Sequence, residues 1–208
     1  MTIKATSLLS LLAIWAAMLP AVVFADAPVW TLIFAGLATA AVGIGAWRRL
    51  GVSRVIAIAG AWAGAALASG SEPDAAWVTV FAFLTTGAVV YSIMRRDALG
   101  VGAGVAAAWL VTGLVVAAQD GGGAWIAVFA FLTAGSLANS RSLHIRGLTA
   151  VLWWGIAGTI MLAADGWFWL AVIAFLLSAA SFGFQDFHLP RRLEWDLFDR
   201  DDDATVVR

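Results

Sequence analysis

From Val101 to Ala118 the chain runs eighteen residues without one ionisable side chain, and from Ala124 to Ala138 it does so again for fifteen. Runs of this kind decide the solvent. A helix needs about 20 predominantly apolar residues to cross roughly 30 Å of hydrocarbon. A water-facing domain needs a polar exterior instead, and these runs have none to offer. Over 208 residues the chain is 62% hydrophobic and 12% charged, against roughly 25% charged in an ordinary soluble domain, so lipid is the expected surroundings. The net charge of −1 supplies no excess of cations to grip phosphate, and no nucleic-acid partner is expected. Cys is absent, which removes disulfides, thiolate metal sites and Cys nucleophiles.

Eight segments have the required length and composition, near 7–24, 28–47, 52–69, 75–94, 99–118, 124–140, 146–164 and 167–185. Short loops with breakers and charges separate them: Asp26 with Pro28, Arg48 to Gly51, SEPD at 71–74, RRD at 95–97, QDGGG at 119–123, RSLHIR at 141–146, and Asp165 with Gly166. Hydrocarbon cannot satisfy an open strand's backbone, and abundant Gly and Ala suit close helix packing better than a barrel's alternation, so the spans are expected to be helices. The fold expected is an all-α membrane protein with a polytopic domain over 1–190 and an acidic cytoplasmic tail over 191–208.

Charge orients the spans. With the N-terminus inside, Lys4, Arg48, Arg49, Arg54, Arg95, Arg96, Arg141, Arg146, Arg191, Arg192, Arg200 and Arg208 all fall on the cytoplasmic side, and the outer turns hold only Asp26, Glu72, Asp74, Asp120 and Asp165. Cytoplasmic loops are enriched in Lys and Arg. The distribution predicts a multi-pass protein of the plasma (inner) membrane with both termini cytoplasmic.

An internal rhythm agrees with this count. Residues 76–90 read AWVTVFAFLTTGAVV and residues 124–138 read AWIAVFAFLTAGSLA, identical at nine of fifteen positions. Trp15, Trp62, Trp109 and Trp154 recur at intervals of 47, 47 and 45, and Trp30, Trp77, Trp125 and Trp169 at 47, 48 and 44. The unit is one helical hairpin, so the chain is expected to hold four tandem parallel copies over about 7–47, 52–94, 99–140 and 146–185. Residues 1–25 also resemble a secretory signal peptide. Because Trp15 and Trp30 keep the register of the later pairs, that segment is expected to remain as the first helix of the first hairpin.

Several residues invite a role. Trp30, Trp77, Trp125 and Trp169 fall where an aromatic belt anchors the outer interface. Trp15, Trp62, Trp109 and Trp154 lie deeper; they are expected to pack, and as a set brought near one axis they are candidates for lining a lipophilic ligand's site. Gly60 with Gly64, and Gly100 with Gly104, have the spacing that lets helices approach closely. Thr85, Thr86, Thr133, Ser136 and Asn139 are expected to bond neighbouring backbone. In the tail, Leu193, Trp195 and Leu197 alternate with acids and are candidates for docking a partner. His144 and His188, the latter beside Asp186, are too few for a metal site. No span carries a mid-membrane ionisable group, which argues against ion coupling. No nucleophile triad, paired carboxylates or phosphate loop is visible, and no cofactor is indicated.

Two resemblances rest on named stretches. The pattern of WLVTGL at 109–114, a short turn, then Ala124, Trp125 and Gly135 in a returning helix resembles the SPW-repeat membrane proteins, with MLPA, ASG, AAQ and AAD standing where those proteins carry Ser-Pro-Trp. RGLTAVLWWGIAG at 146–158 is similar to the Trp-rich hairpins of HdeD-like membrane proteins. The first resemblance implies tandem two-helix units and brings no activity with it. The functions that remain are a non-enzymatic scaffold or accessory subunit, with the bilayer, a membrane-protein partner or a second copy as its surroundings and a lipophilic small molecule as a candidate ligand, alternatively a facilitator or exporter of an uncharged or lipophilic solute, and third a membrane-embedded enzyme.

Overall fold

The computed structural model describes residues 5–45, 50–92, 99–120, 122–138, 144–164 and 166–180. These form eight α-helices: α1 (Ala5–Phe24), α2 (Thr31–Gly45), α3 (Val52–Ser71), α4 (Val78–Val90), α5 (Leu99–Ala118), α6 (Ile126–Ala138), α7 (His144–Ala163) and α8 (Leu170–Ala180). Ala5–Phe24, Val52–Ser71, Pro73–Val90, Leu99–Ala118 and Arg146–Ala163 are long and apolar enough to cross a membrane. The tail candidates Leu193, Trp195 and Leu197, with Asn139, Asp186 and His188, lie outside the described residues.

The odd helices differ from the even ones. Each odd helix has 20 residues, about 30 Å of rise, whereas the even helices have 15, 13, 13 and 11. The even helices also start later than their expected spans, and the reason is local. Before each of them the backbone makes tight i→i+3 bonds, as from Thr31 N–H to Pro28 O, Thr79 N–H to Ala76 O, Ala127 N–H to Ala124 O and Ala171 N–H to Phe168 O. The returning tryptophan therefore sits in a turn ahead of the regular helix. Thr31 and Thr79 brace this turn, their hydroxyls donating to Pro28 O and Ala76 O at 2.7 Å. At the end of α1, Ala27 N–H bonds to Ala21 O around Asp26, whose φ of 55° closes a Schellman-type stop.

The helices form two rows. In one, α1 packs on α3, α3 on α5 and α5 on α7; in the other, α2 packs on α4, α4 on α6 and α6 on α8; each odd helix also packs on the even helix that follows it. Among the described residues, neither row is closed by extensive packing of its first helix on its last. The buried share of the membrane-length windows is 28% in α1, 56% in both α3 and α5, and 39% in α7, which makes α1 and α7 the edges of their row.

Glycine sets the spacing in the odd row. A methyl group added to Gly64 would strike the carbonyl of Trp109, and one added to Gly60 would strike Ala106. Gly102 sits against the Ser53 carbonyl, Gly147 against the Gly100 carbonyl, and a methyl on Gly104 would come within 2.8 Å of Gly147 O. The contact positions rise together along both chains in each pair, so α3, α5 and α7 run in the same direction. Such approach brings backbone onto backbone, where many small dispersion contacts add up.

Helix ends within this packing are satisfied by neighbours. Ser53 Oγ accepts from Gly102 N–H in the first turn of α5, at 3.1 Å. Arg54 Nε donates to Val89 O at 3.2 Å and Arg54 Nη2 to Ser92 Oγ at 3.3 Å, so a cation from the start of α3 stands at the negative end of α4. Gln119 Nε2 donates to Met161 O in the last turn of α7 at 2.6 Å. Substituting Gly64→Val or Gly147→Val is expected to cost at least about 1–3 kcal/mol, because backbone must separate. By contrast Gly36→Ala and Gly87→Ala, with nothing within 4 Å of the new methyl, are expected to be neutral or stabilising by about 0.4–1 kcal/mol. Thermal unfolding in one detergent compares the four variants.

Candidate functional site

The deep tryptophans are the residues whose chemistry recurs, one on each odd helix. Trp62, Trp109 and Trp154 have no exposed surface, and Trp15 is partly buried against the same core. An indole N–H buried among apolar side chains needs an acceptor. Trp15 Nε1 donates to Thr39 Oγ1 at 3.0 Å and Trp62 Nε1 to Thr86 Oγ1 at 2.9 Å, each across its own helix pair and 24 residues along the chain. Trp154 Nε1 donates to Thr133 Oγ1 at 3.2 Å, reaching back to α6. Trp109 Nε1 is buried without a partner.

Each acceptor hydroxyl is fixed in turn. Thr39 donates to Ala35 O and Thr86 to Ala82 O at 2.9 Å, and Thr133 donates to Phe129 O at 2.8 Å. Its proton being spent on the carbonyl four residues back, the oxygen turns its lone pairs to the indole. Thr86 and Thr133 thus bond backbone as expected and also serve a neighbour, whereas Thr85 and Ser136, expected to do the same, are buried without a partner because no carbonyl or donor meets their oxygens. Thr39 was not legible as one of them; a constant offset of 24 from the deep tryptophan is the signal that finds it.

The tryptophans at the turns make a different structure. Trp30 is 42% and Trp169 73% exposed, while Trp77 and Trp125 are half-buried. Trp30, Trp77 and Trp125 each meet the phenylalanine four residues on, edge to face, with centroids 5.9, 5.6 and 5.5 Å apart. The phenylalanines continue into the next even helix, Phe34 to Phe83, Phe81 to Phe131 and Phe129 to Phe175, at 6.3, 5.9 and 6.0 Å. Trp125 also meets Trp169 at 5.7 Å. An aromatic strip therefore crosses the even row, and the doubled FAF of α4 and α6 supplies it.

Two grooves lie away from these interiors. One of about 680 Å³ runs between the C-terminal halves of α1 and α3, walled by Ala17, Ala21, Ala63, Ala66 and Gly70 with Phe24 at its mouth. The other, of about 380 Å³, is lined by Gln119, Asp120, Gly166 and Phe168 with Ala118. None of the four deep tryptophans lines either groove. They succeed one another along the odd row and do not meet on a common axis. The glycines Gly60, Gly64, Gly100 and Gly104 are all buried between odd helices. His144 opens α7, and among the described residues no three His, Asp or Glu come together as a metal site would require.

Trp62→Ala is expected to cost about 3–5 kcal/mol for the cavity it leaves. Trp62→Phe should cost about 0.5–1.5 kcal/mol for the lost hydrogen bond, and Trp169→Phe at the surface should stay within about 0.5 kcal/mol of the parent. Denaturation in mixed micelles ranks the three. Compared with family models, with curated proteins and with solved structures, the chain matches none.

Proposed function

We propose that the chain is a non-enzymatic integral membrane protein of four tandem parallel helical hairpins, crossing the plasma (inner) membrane eight times, and that it is a scaffold or accessory subunit of a membrane complex. The hairpins are α1 with α2, α3 with α4, α5 with α6 and α7 with α8. Both termini are cytoplasmic, on the side where the Lys and Arg residues gather, and Trp30, Trp77, Trp125 and Trp169 anchor the opposite interface. Kinship with the SPW-repeat membrane proteins belongs to the same proposal.

The observation that carries it is how the interior is occupied. Indoles, alanines and glycines fill it, and the polar atoms of Trp15, Trp62 and Trp154 are consumed by Thr39, Thr86 and Thr133. A carrier coupled to protons or ions normally places titratable groups at such depth despite their cost. Large aliphatic side chains point outward instead: Leu12 and Leu19 on α1, Leu152 and Ile156 on α7, Ile173 and Leu176 on α8. Such faces suit transmembrane helices of a partner, a second copy, or lipid. The α1–α3 groove, whose walls are almost wholly apolar, suits a lipophilic small molecule and favours the second reading, a facilitator or exporter of an uncharged or lipophilic solute.

Topology is tested directly because the chain has no cysteine of its own. Single cysteines at 26, 74 and 120 are expected to react with an impermeant reagent from outside, and those at 48, 95 and 141 only from the cytoplasm. A split within either set would overturn the eight-span scheme. For the role, purification in mild detergent followed by mass spectrometry is expected to return a stoichiometric membrane-protein partner. Solute flux in vesicles of the purified chain alone, abolished by Ala63→Trp in the groove, would replace the scaffold reading with the second.

A further inference from the structure

Two buried polar atoms without partners stand in corresponding places. Trp109 Nε1, which can only donate, and Thr85 Oγ1, which can accept, both belong to residues with no exposed surface. In the stretch FAFLT, written at 81–85 and again at 129–133, Thr85 holds the place on α4 that Thr133 holds on α6. Thr133 accepts the indole of Trp154 from α7, the odd helix that follows it in the chain. Trp109 is on α5, which follows α4 in the same way, 24 residues beyond Thr85, as Trp154 is 21 beyond Thr133.

The acceptor that serves Trp15 and Trp62 is closed to Trp109. Nine residues after Trp30 and Trp77 stand Thr39 and Thr86, and nine after Trp169 stands Ser178, but nine after Trp125 stands Ala134. A methyl group cannot accept. Of the hydroxyls within one turn of it on α6, Thr133 is already engaged by Trp154, and Ser136, two residues on, stands on the opposite side of the helix from Ala134. In surroundings of low dielectric an unmet indole donor and an unmet hydroxyl are each costly, which biases the junction toward any packing that joins them.

We infer that Thr85 and Trp109 are the two halves of a latch, apart in this structure and hydrogen-bonded in a second packing of α4 against α5. Closing it ties the first two helix pairs to the last two, as Thr133 and Trp154 already tie α6 to α7. A second arrangement of α4 and α5 thereby satisfies two polar atoms that this one leaves unmet.

The test uses the intact protein in nanodiscs with ¹⁵N-labelled tryptophan, the Trp109 indole resonance being assigned by its loss in Trp109→Phe. Thr85→Val keeps the shape and removes the hydroxyl; it is expected to shift the Trp109 resonance and lower the Tm by about 2–4 °C. Thr85→Ser, which keeps the hydroxyl, should leave the resonance near its parental position, and Thr133→Val should move Trp154 and not Trp109. Ala134→Thr, which supplies the missing acceptor, should restore the Tm of Thr85→Val. If Thr85→Val leaves the Trp109 resonance in place, or if Thr85→Val and Trp109→Phe lower the Tm additively, Thr85 is not its partner and the latch is refuted.

Discussion

Everything in this structure hangs on how closely α3, α5 and α7 approach one another. The backbone of α5 lies so near that of α3 that Gly64, Gly102 and Gly113 have no room for a methyl group, and Gly104 and Gly147 repeat the arrangement between α5 and α7. In water, bulky side chains could hold such helices together by burial alone. In lipid the solvent is as apolar as leucine, and contact area gained by backbone approach is what distinguishes packed from unpacked. The three large indoles then fill the volume beside the close contacts, opposite alanine and glycine, at the density expected of an interior.

Filling an apolar core with tryptophan has a polar cost, and threonine offsets it. A threonine hydroxyl can stay bonded to its own helix and still accept from outside, so it brings an acceptor without bringing an unmet donor. Aspartate or glutamate would accept as well but carry charge into hydrocarbon. The arrangement is used with small variations: within a helix pair for Trp15 and Trp62, backwards between pairs for Trp154. Alanine at 134, where α2 and α4 have threonine, removes the same-pair acceptor from Trp109.

The row also carries its own stop. Gly60 and Gly64 stand two residues either side of Trp62; the same places around Trp109 hold Ala107 and Val111, and around Trp154 they hold Leu152 and Ile156. Side chains grow along the row as neighbours run out. Leu152 and Ile156 are exposed, and at that size they keep a further helix from the approach that α5 makes to α3. On the other edge, α1 turns Leu8, Leu12 and Leu19 outward. Edge helices of a stack have one partner fewer, and these two present exposed aliphatic side chains on the free side.

Helical class, element number and the starts of α3 and α5 were legible in the chain, because long apolar runs between charged loops permit few backbone solutions, while α1 and α7 begin two residues ahead of their expected spans. The spacing of 47, 47 and 45 also picked out Trp15, Trp62, Trp109 and Trp154, of which the last three have no exposed surface. It could not say that the even helices begin two or three residues later than their spans, since a Trp-containing turn and a helix have the same composition and differ only in hydrogen-bond register. Nor could it say that the odd helices form an open row, which depends on which faces meet: Gly147 and Gly102 lie outside the small-xxx-small pairs, and only packing reveals them at the contact. Partner choice for each indole was likewise a tertiary decision. Thr85 and Thr133 occupy the same place in the same phrase, yet one is bonded to a tryptophan and the other is not, because the hydrogen bond depends on how two helices cross and not on what either one spells.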